Sequence, residues 1–236
     1  MNRHAHSGRR ARAGFLALAL IALSPAVHAD APSSAPVAAL YETRVIPKQH
    51  GAKAVVTRWY FWRDGGQVEI RDEPGHTGER WERDPSGKLF YTRLFHRDRA
   101  LIEFAPTEFQ VVGKSWGRVS MLIEPDSLGT TLKMSGTERR AGQSLDRYRG
   151  SAAGQRIDLR WRADLGLPAE IRGDDAQKTT TVRLLRSWPL AQAPQSMTDA
   201  TTLAGYRMID GADLGDMESD PFVTRVLGQG GYQHTH

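Results

Sequence analysis

The chain has 236 residues, no cysteine and a formal net charge of +5. Without thiols it has no disulfide, no thiolate metal site and no cysteine nucleophile, so an exported form must be held together by packing alone. Beyond the first 29 residues, 28 Lys and Arg face 27 Asp and Glu over 207 residues, a balance that removes the basic footprint of nucleic-acid binding and suits one domain with a sizeable core.

Residues 1–29 have the three parts of a secretory signal peptide. Arg3, Arg9, Arg10 and Arg12 form a basic start, residues 15–23 (FLALALIAL) an apolar core, and Ala26-Val27-His28-Ala29 a small-residue cleavage site. Cleavage after Ala29 directs the protein to the periplasm. The apolar run is shorter than the roughly 20 residues a membrane-spanning helix needs, so an integral membrane protein is not expected. A lipid anchor on the mature N-terminus is excluded by the missing cysteine.

Residues 30–37 (DAPSSAPV) read as a flexible leader, and residues 38–190 as the main β domain. Residues 54–63 (AVVTRWYFWR), the turn Asp64-Gly65-Gly66 and the alternating residues 67–71 (QVEIR) predict a hairpin. A second hairpin follows at 80–84 and 88–95 around Pro85-Ser86-Gly87, and His96-Arg97-Asp98-Arg99 turns into a strand at 100–104. Trp116, Val119, Leu122 and Ile123 fall at helical spacing before Pro125. Strands resume at 130–134, 144–149, 155–162 and 179–187. In the third of these, Ile157, Leu159 and Trp161 share one face, while Arg156, Asp158, Arg160 and Arg162 share a wet one.

Residues 191–227 form an acidic, helical extension. Ser219-Asp220-Pro221 starts its last helix, Phe222, Val223, Val226 and Leu227 make one apolar stripe, and Gly228 stops it. Residues 228–236 read as a disordered tail. The expected fold is mainly β (α+β): a strongly curved antiparallel sheet, or half-barrel, of eight or more strands with one or two short helices and a C-terminal helix. Five of the six tryptophans (Trp59, Trp62, Trp81, Trp161 and Trp188) fall in predicted strands or directly at the end of one. Trp59 and Trp62 lie on opposite faces of one strand, so both sides of the sheet are expected to be covered there.

Chemistry-bearing residues are sparse. His234 and His236 could ligate a metal together with the terminal carboxylate, or simply form a solvated tail. Asp210, Asp213, Asp216, Glu218 and Asp220 do not have calcium-loop spacing and read as a solvated acidic turn. His50, His76 and His96 lie in loops or turns without any hydrolase or metalloprotease motif beside them. Glu69, Glu73, Glu79 and Glu82, interleaved with Arg71, Arg80 and Arg83, read as cross-strand charge pairs on a wet face rather than a glycosidase pair. No enzyme activity and no cofactor are expected.

Residues 146–150 (DRYRG), 154–161 (GQRIDLRW) and 165–171 (LGLPAEI) follow one another as strand, turn and Leu-Pro step. In this order, from about residue 37 to 188, the chain resembles the periplasmic half-barrels of the LolA-like superfamily, which includes lipoprotein carriers and the RseB/MucB-type regulators. The resemblance implies an apolar cavity for a lipid or other hydrophobic small molecule. Trp59, Phe61, Val68, Ile70, Leu159 and Trp161 are the residues expected to line it. An alternative is an envelope protein partner docked through the acidic C-terminal segment, and a third is metal handling by His234 and His236.

Overall fold

Two-residue turns set up much of the sheet. Ala141-Gly142 and Ala153-Gly154 all have positive φ, between 48° and 79°, the backbone that joins tightly paired antiparallel strands. The computed structural model describes residues 35–108 and 110–228. The expected cleavage site, and His234 and His236, lie outside the described residues.

The strands are β1 (Val37–Pro47), β2 (Val55–Asp64), β3 (Gln67–Asp72), β4 (Thr77–Arg83), β5 (Leu89–Phe95) and β6 (Ala100–Phe104), then β7 (Leu132–Arg140), β8 (Gln143–Ala152), β9 (Gln155–Arg162), β10 (Leu167–Asp174), β11 (Lys178–Trp188) and β12 (Arg207–Asp210). The helices are α1 (Trp116–Met121), α2 (Ala200–Ala204) and α3 (Pro221–Val226). All the strands belong to one strongly curved, open sheet in the order β12-β6-β5-β4-β3-β2-β1-β11-β10-β9-β8-β7. Two meanders, β2–β6 and β7–β11, are joined because β1 pairs with β2 on one side and β11 on the other. Every named pairing is antiparallel except β12 with β6, so the sheet is mixed.

The two faces are covered differently. On the inner face, Tyr41, Phe61, Val68, Trp81, Tyr91, Ile102 and Phe104 form the main core with Val119 of α1 and Val223 and Val226 of α3. On the outer face, Ala38, Tyr60 and Trp62 pack under Leu190, Ala193 and Met197. Trp59 and Trp62 therefore do face opposite sides, each with its own cover.

One segment supplies covers on both faces. After β11 the chain crosses the outer face, adds β12 to the β6 edge, and places α3 on the inner face. Polar contacts fix the crossing. Glu69 accepts hydrogen bonds from the Thr198 amide and hydroxyl, both at 2.9 Å, while Arg80 donates to the Thr198 carbonyl at 2.8 Å. Arg71 donates to the Ser196 carbonyl at 2.8 Å and lies over the Trp62 ring, whose Nε1 donates to the Gln195 carbonyl at 3.0 Å. The wet-face expectation for Glu69 is thus corrected: the carboxylate is fully buried, because residues 195–198 lie across it.

Further along, Asp220 caps α3, accepting from the Phe222 and Val223 amides, and pairs with Arg207 at 2.7 Å. Asp210 caps the 3₁₀ turn that follows β12. Two of the five acidic residues are therefore used inside the fold.

His96 stands where this segment rounds the edge. It is half-buried rather than solvated, with Nδ1 2.9 Å from the Tyr206 hydroxyl. Burial lowers its pKa first, Arg71 lowers it further, and Asp72 opposes both. A folded-state pKa below the unfolded value of 6.5 means the unfolded chain binds the proton more readily. The contribution of His96 to stability is therefore complete above pH 6.5 and lost as the pH falls through the lower folded value. Thermal melts between about pH 7 and about pH 5 should show a smaller acid loss of stability in His96→Asn than in the parent. Equal losses would contradict this placement.

Candidate functional site

The inner face has a closed end and an open end. At the closed end stands Arg63, the last inward residue of β2 and fully buried. No carboxylate pairs with it among the described residues. Its guanidinium instead donates to four main-chain carbonyls: Ser120 at 2.7 Å, Leu165 at 2.7 Å, Ala35 at 2.9 Å and Gly166 at 3.4 Å. Burial lowers the Arg63 pKa, and the neighbouring Tyr41 opposes the shift. Tyr41 donates to the Pro168 carbonyl at 2.9 Å, and burial pushes its phenol far above the ordinary range. These contacts bind α1 and the β9–β10 turn to β2 and close this end.

Toward the other end the same strands lose their cover. Strand register lines up one residue from each of seven strands: Thr57, Thr43, Val182, Ile171, Leu159, Tyr148 and Met134. The next row is Val55, Val45, Thr180, Gly173, Ile157, Gly150 and Leu132. Leu159 and Leu132 are buried with Met121 and Ile123. Val182, Ile171, Ile157 and Tyr148 are half-buried, and at the two ends Val55 and Met134 are each 56% exposed. The rows thus present aliphatic carbons, with hydroxyl groups between them, along a partly open strip.

Beside the strip a cavity of about 270 Å³ opens between β2 and β5. Trp59, Ile70 and Phe95 are its apolar walls, and Thr57 belongs to both cavity and strip. Glu79 and Arg93, register partners on β4 and β5, put one negative and one positive charge on its wall. Arg93 also lies over the Phe95 ring. The geometry offers apolar contact with a polar rim. The Thr77 hydroxyl on the cavity wall donates to Asp72 at 3.3 Å across the turn between β3 and β4, and no cluster of three metal-ligating side chains occurs among the described residues.

The residues expected to line a ligand site divide into groups. Trp59 and Ile70 line the cavity. Phe61 and Val68 share their face but are 0% exposed, packed in the main core. Leu159 and Trp161 are buried in a separate cluster under residues 121–132, where Leu159 also forms part of the strip's floor. Thr57, Val182, Ile171, Tyr148 and Met134 were not singled out from the sequence. Alternation within β11 and β10 marks two sides for each strand, but which side is inner depends on the pairing of β1 with β11.

No protein-family model and no curated protein matches the chain. Similar solved structures include PNGF-II, at 11% identity and a TM-score of 0.45, covering 79% of this chain and 33% of that one. The MucA/MucB complex of Pseudomonas aeruginosa aligns at 10% identity and a TM-score of 0.35, covering 74% and 58%. A LolA superfamily protein from Nitrosomonas europaea aligns at 10% identity and a TM-score of 0.25, covering 65% and 86%. The chain therefore spans a third of the length of PNGF-II and just over half of the MucB-containing match. Both groups that the sequence resembles are among these structures.

The closed end yields a test of its own. Arg63→Met keeps much of the side-chain volume but leaves the carbonyls of Ser120, Leu165 and Gly166 without their donor. The unfolding free energy measured with urea should fall by about 3 kcal/mol. A loss below about 1 kcal/mol would show that the carbonyls find other partners.

Proposed function

We propose that the protein is an exported, non-enzymatic binding protein that holds an acyl chain or another apolar group along the open end of its inner face. The observation that carries this reading is the register row from Thr57 on β2 to Met134 on β7. Six interstrand steps of about 4.8 Å give it a length of about 29 Å. A single lipid chain spans about half of a 30 Å hydrocarbon core, so it fits within the row.

The composition agrees with the shape. Ligand sites combine apolar walls with a few polar groups that set orientation. Here Val55, Val182, Ile171 and Met134 supply the first, and Glu79 and Arg93 beside the cavity supply the second. The cavity by itself is small for a whole amphiphile, so the strip takes the chain and the cavity takes one end. Export through the signal peptide places this activity in the periplasm.

The test is a fluorescence titration with the apolar probe N-phenylnaphthylamine. Val182→Glu puts a carboxylate in the middle of the row, and Val55→Glu puts one at an exposed position where the fold tolerates it. Each should weaken probe binding by roughly tenfold, which corresponds to about 1.4 kcal/mol. Phe90→Glu, an exposed position on the other side of β5, should leave binding unchanged. Equal affinity in all the variants would overturn the assignment.

A further inference from the structure

The outer face carries a separate signal. Residues 132–188, which run from β7 through β11, contain 12 Lys and Arg against 7 Asp and Glu, while residues 189–228 contain 2 against 6. Residues 30–236, near neutral as a whole, are therefore strongly divided, with net +5 on one meander and −4 on the segment that covers the other. Register places much of the positive charge on the outer face.

Two outer rows behave differently. In one, Arg147, Arg160, Glu170, Arg183, Glu42 and Arg58 follow in register and neutralise one another. Arg160 pairs with Glu138 and Glu170, Arg183 with Glu170, and Arg58 with Glu42. In the neighbouring row Lys133, Arg149, Asp158, Arg172, Thr181, Arg44 and Val56 follow in register. Only Arg149 is neutralised there, by Asp158 at 2.7 Å. Arg172 and Arg44 are exposed and make no ion pair within 4 Å among the described residues, nor does exposed Arg156 on the same face of β9; Asp174, the register partner of Arg156 and two residues from Arg172, is itself paired with Lys48 at 3.2 Å. Exposed aliphatic side chains stand among these cations: Val56, 49% exposed, faces Arg44 across the strand pair, and Ile46, 43% exposed, lies two residues beyond it.

We propose that this outer face docks on an anionic phospholipid surface. Unpaired arginines supply attraction to lipid phosphates, which acts within about a Debye length. Val56 and Ile46 give the same face apolar groups that enter the headgroup layer, a use that a soluble anion would not have for them. The acidic segment 189–228 is tied to the other meander, so like charge does not oppose the approach. Because the cations lie on the face opposite the apolar row, this docking is independent of the ligand reading above.

Co-sedimentation of the purified protein with vesicles tests the proposal. The protein should pellet with vesicles of two parts phosphatidylethanolamine to one part phosphatidylglycerol, stay in solution with phosphatidylcholine alone, and be released by high salt. One cation near such a surface contributes roughly fivefold in partitioning, so the triple variant Arg44→Glu, Arg156→Glu and Arg172→Glu, which removes three cations and adds three anions, should lose at least roughly a hundredfold. The same variant should keep its circular dichroism spectrum and its affinity for N-phenylnaphthylamine. Equal binding to phosphatidylcholine, or undiminished binding by the triple variant, would overturn the proposal. So would retention on heparin to higher salt than on the anionic vesicles, which would make the face a general polyanion surface.

Discussion

A buried arginine with no carboxylate partner among the described residues organises the inner face. Arg63 would be costly in this position if its guanidinium were not surrounded by acceptors. The carbonyls of Ala35, Ser120, Leu165 and Gly166 meet that need, and they come from three parts of the chain: the residues before β1, α1 and the β9–β10 turn. A charge solvated in this way fixes α1 and the β9–β10 turn against β2 with directional bonds, which apolar packing alone does not provide. Once one end of the inner face is closed so firmly, the opposite ends of β1, β2, β10 and β11 project beyond the helices. The open strip is a consequence of where the cover stops.

The outer face solves a related problem without disulfides. Its strap, residues 189–198, buries Tyr60 and Trp62 by apolar contact and Glu69 by complete hydrogen bonding. Arg71 and Arg80 compensate the buried carboxylate, at 3.4 Å and 3.9 Å from its oxygens. Since the strap continues into β12 and α3, the outer cover, the sheet edge and the inner core are parts of one covalent path. The β2–β6 meander is thereby covered on both faces and along its outer edge. The β7–β11 meander, with its arginines outward and its half-buried aliphatics inward, presents its faces more freely.

Much of this fold was legible in the sequence where turn chemistry and period agreed. The hairpin at Gly65-Gly66, the alternation of 155–161, the short helix at Trp116 and the Asp220-Pro221 helix start all appear in the structure, whereas Arg162, expected on the wet face, is buried and paired with Asp164. Strands β1, β10 and β12 were harder. In β1, Val37 to Tyr41 carries apolar residues on both faces, because the strap covers one side and the core the other, and no alternation results. Strand β10 contains Pro168 beside a bulge and was visible only through its Leu-Pro step, and β12 is four residues long and parallel to β6. The site was partly legible. Trp59 and Ile70 follow from local alternation, whereas Val182 and Ile171 reach the strip only through long-range pairing. Glu69 misled because a charged residue among arginines looks solvated until a distant segment is laid across it.

An apolar ligand held at the open end of the inner face should leave the cell with the protein. Native mass spectrometry of the protein purified from periplasm without detergent tests it most directly, with solvent extraction of whatever is released. The expected result is a stoichiometric added mass that extracts as lipid. A bare protein mass that stays unchanged after incubation with lipids would contradict it.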